Sequence, residues 1–336
     1  MNTDRDSALD AMRGLSVALM VEIHSLLHFR PVYGKFYLIM RALGTLAAPF
    51  FLICAGMGME YLRGRWVGES ARFRQAMVRR GLFLILFATL LHVYRLDIVT
   101  LFDWNIFSLI GLWYLLNSPF NRLPWFLPIL LIAGILGLNA LLPIGKPWIL
   151  RDGSFPPVPF SVYFLLGILL TKARQTIHQL GRWSYLIGLG ALVLLVVSLL
   201  HTMQLATLNR FDVWSIKGVM IISALFVILI STAWQFPKNT VMRDRVLWPF
   251  TQMGKLAFSL YYVQYFFLLF LPGVVRVLTG KDLILLWPSL VWSGLIFAFM
   301  VFLCGIVAIW ERFRFKYSLE WFMSNYVSSR SRIGKQ

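Results

Sequence analysis

Five ionisable side chains crowd the first apolar stretch of the chain: Asp10, Arg13, Glu22, His24 and His28. Charged or titratable groups at bilayer depth are costly, so each is a functional candidate by default. His24 and His28 stand four residues apart and share one face of a helix. Glu22 sits about 200° round from His24 and faces elsewhere. Two histidines at this spacing are half of a metal pair, but no neighbouring Cys, His or Asp completes a zinc shell, and no metal is expected. Arg41, Glu60, His92, Asn105, His201, Lys217 and Gln264 are further candidates inside apolar stretches, with Asp97 and Asp103 in an outer turn. Arg41 and Lys217 need a carboxylate or a ligand, because an unpaired cation at that depth is expensive. Arg13 and Glu60 lie near stretch ends, where simple snorkelling is the bland alternative. His92 and His201 suit a hydrated structural role as well as a catalytic one.

These residues must be positioned by membrane helices. Of 336 residues, 59% are hydrophobic and 14% charged, with mean hydropathy +0.73. A soluble domain carries about 25% charged residues, so a soluble enzyme, a disordered chain and a fibrous one are all excluded. Crossing about 30 Å of hydrocarbon takes roughly 20 apolar residues. Ten stretches qualify: 12–29, 36–62, 78–96, 104–118, 124–143, 156–172, 183–203, 213–234, 254–274 and 285–310. The expected fold is all-α, a polytopic membrane bundle of about ten transmembrane helices. Residues 1–310 form one transmembrane domain and 311–336 a cytoplasmic interfacial helix with a basic tail. In that tail Phe313, Tyr317 and Trp321 recur every four residues among Arg312, Arg314 and Lys316, predicting a surface helix over 311–327. The polar opening MNTDRDSALDA has no basic leader or cleavage site, so no removed signal peptide is expected. Cys54 and Cys304 both fall within spans, so no structural disulfide is expected.

The formal charge of +18 sorts by loop. With the N-terminus in the cytoplasm, 22 of the 32 basic residues fall on the inner side, six of them in 63–80 and six in the tail. Eight fall outside, and Arg41 and Lys217 lie at membrane depth. The positive-inside rule therefore favours ten spans with both termini cytoplasmic. The basic residues are spread over short loops rather than along one aromatic-studded surface, which excludes a nucleic-acid partner. The connections are too short for a separate domain, so whatever this chain does happens inside the bundle.

One segment is more specific than a hydrophobic helix. Leu9-Asp10-Ala11-Met12-Arg13-Gly14-Leu15, followed by an apolar run ending at His24, resembles the opening of the transmembrane acyltransferase superfamily. That superfamily includes polysaccharide O-acetylases and the heparan α-glucosaminide N-acetyltransferase, whose small bacterial relatives look most similar. Ala48-Pro49-Phe50-Phe51-Leu52-Ile53-Cys54-Ala55-Gly56 is similar to the family's second-span run. Fainter likenesses are Pro157-Val158-Pro159-Phe160 leading to Gly167, and Gly254-Lys255-Leu256-Ala257-Phe258-Ser259-Leu260-Tyr261. One departure stands out: Gln264 occupies a place where many relatives carry His, and an amide cannot act as a base.

The resemblance implies transfer of an acyl group, commonly acetyl, from cytosolic acyl-CoA to a hydroxyl or amine of an extracytoplasmic sugar or glycan. His24, at the family's histidine position, is then the general base, or is itself transiently acylated. Arg13 lies eleven residues earlier, about 16 Å along the helix, and so cannot touch the same atoms. It would instead hold a CoA phosphate at the cytoplasmic mouth, steadied by Asp10, with Arg79 and Arg80 adding phosphate contacts. His28, Arg41 and Gln264 are acceptor-side candidates. The implied setting is a multi-pass protein of the bacterial inner membrane, with acyl-CoA as donor and no metal; a homo-oligomer is compatible with it. The alternatives are a transporter or lipid flippase using the same ionisable residues, and a non-enzymatic membrane subunit. A transporter should show an inverted repeat or paired broken helices, and neither is visible in the sequence.

Overall fold

The computed structural model describes residues 6–29, 35–93, 104–120, 123–141, 155–180, 216–235, 241–280 and 289–328, with positions 190 and 193. Among the described residues every regular element is a helix. In chain order these are α1 (Ser7–Phe29), α2 (Lys35–Gly44), α3 (Ala47–Arg65), α4 (Ser70–Val93), α5 (Ile106–Asn117), α6 (Phe126–Leu141), α7 (Pro157–Leu180), α8 (Ile216–Gln235), α9 (Val241–Lys255), α10 (Ala257–Thr279), α11 (Ser289–Arg312) and α12 (Leu319–Ser328). A helix stands at each expected span except 183–203, which lies almost wholly outside the described residues. Among the described residues two stretches are long and apolar enough to cross a membrane: Tyr37–Arg65, of 29 residues across the α2–α3 turn, and Ser293–Arg312, of 20.

Local chemistry sets several boundaries. Asp6 starts α1, its Oδ1 accepting from the amides of Ala8 (3.0 Å) and Leu9 (3.3 Å), while Trp234 Nε1 donates to its Oδ2 at 3.1 Å. Asn105 starts α5 with a capping box: its side chain accepts from Phe107 and Ser108, and Ser108 Oγ returns to the Asn105 amide. Its Nδ2 also donates to the Ala88 carbonyl, so the asparagine expected inside an apolar span is a helix cap. α10 closes on Gly280 at φ 65°, the left-handed position that favours glycine.

Two compact units divide the chain. The first comprises Met1–Phe51, Trp183–Val213 and Ala224–Trp321; the second comprises Leu52–Arg182, Trp214–Ser223 and Phe322–Gln336. The first unit is built on α1, against which α2, α9, α10 and α11 pack. Val17, Val21, Phe50, Phe226, Leu260 and Leu303 are buried in it, and Phe50 meets Phe226 edge to face at 5.3 Å. In the second unit α4 packs on α5 and α6 on α7, around Leu52, Met57, Phe73, Phe107, Tyr163 and Phe164. Other apolar faces point outward: Leu82, Leu86 and Leu90 on α4 are about half exposed, as are Phe297, Val301 and Ile309 on α11 or more so. Contiguous exposed stripes of this kind are foreign to a water-facing surface and natural to a lipid-facing one.

Glycines bring the helices together. A β-carbon on Gly14 would stand 1.8 Å from the carbonyl oxygen of Phe250, and one on Gly254 1.7 Å from that of Asp10. Positions 10 and 14 of α1 therefore meet 254 and 250 of α9, an antiparallel crossing with backbones in contact. In the second unit Gly56 faces the Phe164 carbonyl and Gly167 the Ile53 carbonyl in the same way, and Gly81 faces Gly111. Small residues that let backbones touch are the usual means of packing helices where lipid removes the hydrophobic drive.

Two expectations change. The stretch 235–253, left between the expected spans 213–234 and 254–274, holds most of α9, with Pro249 inside it, and this helix packs along the start of α1. The helix expected over 311–327 is broken: α11 ends at Arg312, and Arg314, Phe315 and Tyr317 adopt positive φ (52°, 58°, 63°) before α12 begins. The turn buries Phe315, with Lys255 Nζ 5.8 Å from its ring centre, and leaves Phe313 and Tyr317 exposed.

Candidate active site

At the start of α1, Asp10 is buried at 1% exposure and accepts a hydrogen bond from Arg13 Nη1 at 3.2 Å. The Arg13 side chain keeps 27% exposure, so its guanidinium is held on one side and open on the other. Both residues fall beside the α1–α9 crossing, since Gly254 rests on the Asp10 carbonyl and Gly14 on that of Phe250. A guanidinium fixed by a buried carboxylate is oriented before any anion arrives, and a planar fork suits a phosphate.

Three turns further along α1, the His24 ring meets the Tyr261 ring of α10 in an edge-to-face contact at 6.0 Å, and Nδ1 of His24 is buried. Glu22 points to α2 instead: a β-carbon on Gly44 would come within 2.6 Å of its Oε2. The expected separation of Glu22 and His24 onto different faces is therefore seen. Gln264 follows Tyr261 by one helical turn and is fully buried, at 0% exposure. The α1–α10 contact thus brings an imidazole against a phenol, with a buried amide one turn further along α10, a set able to shuttle one proton and donate hydrogen bonds without any permanent charge.

Arg41 sits in the last turn of α2, partly buried. His28 lies in the last turn of α1, and its side chain, like those of His92 and Lys217, lies outside the described residues. His201, Asp97 and Asp103 lie outside them altogether. In the second unit, Arg79 lines an open groove of about 600 Å³ with Ala71, Arg72, Arg74, Gln75 and Val78 on α4. Three arginines on one groove suit a polyanion; Arg80 is not among its lining residues, and its Nε is buried.

Sequence reasoning missed a second polar cluster, also in that unit. Glu60 is not snorkelling: its carboxylate pairs with Arg63 and, at 3.2 Å, with Lys172 Nζ. Arg63 is 5% exposed, reaches Asn117 Oδ1 at 3.5 Å and stacks over Phe73 at 5.4 Å. Lys172 Nζ also donates to the Leu123 carbonyl at 2.7 Å. The Glu-x-x-Arg spacing of 60 and 63 was the available signal, since residues three apart on a helix are neighbours. Every member is engaged by another protein group, which marks a structural tie. Among the described residues no group of three His, Cys, Asp or Glu could hold a metal ion.

Residues 5–195, more than half the chain, match the family described as "Heparan-alpha-glucosaminide N-acetyltransferase, catalytic". Comparison with curated proteins and with solved structures gave no match.

Proposed function

Because the chain belongs to the heparan-alpha-glucosaminide N-acetyltransferase catalytic family, we propose that it is a multi-pass membrane acyltransferase. In this reading it moves an acyl group, acetyl foremost, from cytosolic acyl-CoA to a hydroxyl or amine of an extracytoplasmic sugar or glycan. The observation that supports it is the family match over residues 5–195, a stretch that contains His24, whose ring lies against Tyr261. A thioester is already activated, and the acceptor must shed a proton as it attacks. A neutral imidazole, with an ordinary pKa of about 6.5, accepts that proton near neutral pH. The same nitrogen attacking the thioester first would give an acyl-histidine and a two-step route.

Arg13, oriented by Asp10, is read as the anchor for a CoA phosphate, and Arg79 and Arg80 are the other donor-side candidates. Arg13 and His24 are about 16 Å apart along α1, a length that suits a nucleotide held at one end and a reacting thioester at the other. Ten spans, both termini cytoplasmic and a bacterial inner membrane complete the reading, supported by the outward apolar stripes and by the skew of basic residues to one set of loops.

Thermal unfolding of the detergent-solubilised protein with acetyl-CoA, CoA or no ligand tests the donor assignment. Saturation at a hundredfold excess over Kd stabilises the folded state by about 2.7 kcal/mol, a shift of several degrees. Stabilisation by both nucleotides supports the enzyme. No shift at millimolar ligand favours the transporter reading instead.

A further inference from the structure

Gln264 is fully buried, and neither its Oε1 nor its Nε2 has a hydrogen-bond partner among the described residues. Buried polar side chains are nearly always satisfied, and one left open usually waits for something that occupies it part of the time. Its place on α10 limits what that is. Tyr261, three residues earlier and on the same face, contacts the His24 ring. Gln264 therefore lies one turn along α10 from the residue that touches the imidazole proposed to take the acceptor's proton. Glu22 on α1 also has buried carboxylate oxygens with no hydrogen-bond partner among the described residues, but it turns toward Gly44, away from this contact.

Resting on the acyl-transfer reading, we propose that Gln264 Nε2 is the hydrogen-bond donor that holds the thioester carbonyl oxygen as it becomes an oxyanion. The lone pair of the acceptor's nitrogen or oxygen forms a bond to the carbonyl carbon, and the C=O π pair moves onto oxygen. His24 takes the acceptor's proton. Collapse reforms C=O and breaks the C–S bond, and the departing CoA thiolate picks up the proton from His24. Gln264 remains a neutral amide throughout. The same oxyanion forms if His24 is acylated first, so the role is common to both routes. An amide suits it: the group donates without competing for the proton that His24 must carry, and its charge does not change with pH. Preorganised donors aimed at developing negative charge inside a water-poor site act strongly on rate and weakly on ground-state binding.

The test uses the full chain in detergent with acetyl-CoA as donor and glucosamine as acceptor probe, following CoA release and thermal unfolding together. Gln264→Leu keeps the volume and removes the donor. It should lower kcat roughly a hundredfold to a thousandfold, leave KM for acetyl-CoA within about threefold, and leave Tm unchanged or raised, since no partner among the described residues is lost. Gln264→His retains an N–H donor and should stay within about tenfold of the wild-type kcat. Wild-type turnover in Gln264→Leu overturns the inference, and so does a Tm lowered by several degrees, which would mean that the amide serves the fold. A wild-type protein that releases no CoA fails at an earlier point: it removes the acyl-transfer reading itself, and this role with it.

Discussion

A β-carbon on Gly14 would stand 1.8 Å from the carbonyl oxygen of Phe250, so α1 and α9 touch backbone to backbone immediately after the Asp10–Arg13 pair. The contact fixes the helix that carries both the proposed phosphate anchor and the proposed base. Gly14→Ala must push α9 away or strain it, at a cost of about 1–3 kcal/mol. Its melting temperature in detergent should fall by several degrees. Gly134→Ala, where nothing lies within 4 Å, should leave it unchanged or raise it.

Glu320 on α12 caps the start of α10, accepting from the amides of Phe258 (2.6 Å) and Ser259 (3.2 Å) and from Ser259 Oγ. Burial pushes its carboxyl above the ordinary value of about 4.5, against the pull of those hydrogen bonds. A raised folded-state pKa gives stability that is fully present below pH 4.5 and lost as pH rises through the raised value. Between pH 5 and 8.5 the wild type should therefore lose more thermal stability than Glu320→Gln, whose neutral amide can still accept from both backbone N–H groups. Glu320→Ala leaves those two amides unmet and should cost about 1–3 kcal/mol at either pH. Parallel melting curves of the three proteins decide it.

How much of this was legible in the sequence depends on the residue. The helices at the expected spans follow from apolar runs long enough to cross a bilayer, and the separation of Glu22 from His24 follows from helical geometry alone. α9 is not legible as an element because Pro249 and the low hydropathy of 241–255 keep it out of the apolar spans; its packing rests on Gly254 and on the Phe250 backbone, which carry no periodic signal. The motif glycines Gly14, Gly56, Gly167 and Gly254 were legible as a family resemblance but not as what they are here, the points where helix backbones meet. Glu60 looked like a snorkelling end residue because its second partner, Lys172, is remote in sequence. The turn after Arg312 was unreadable for another reason: Arg314, Phe315 and Tyr317 take a conformation that their types disfavour, imposed by burial of Phe315 and by the docking of Glu320.

The Asp10–Arg13 pair yields a kinetic prediction. Loss of a charge-assisted contact to phosphate is worth about 1.5–3 kcal/mol, so Arg13→Ala should raise KM for acetyl-CoA by roughly tenfold to a hundredfold while moving KM for glucosamine little. Arg13→Lys keeps the charge but not the planar fork and should fall between. Steady-state kinetics with each substrate varied in turn would show it; equal shifts in both KM values would remove Arg13 from the donor site.

The central claim is that His24 carries the proton, or the acyl group, in acyl transfer. The most direct measurement supplies membranes containing wild type or His24→Ala with labelled acetyl-CoA and glucosamine, alongside melting curves for both proteins. Transfer should fall about a hundredfold or more in the variant, with its melting temperature within a few degrees of wild type. Transfer at the wild-type rate in a normally folded His24→Ala protein would contradict it.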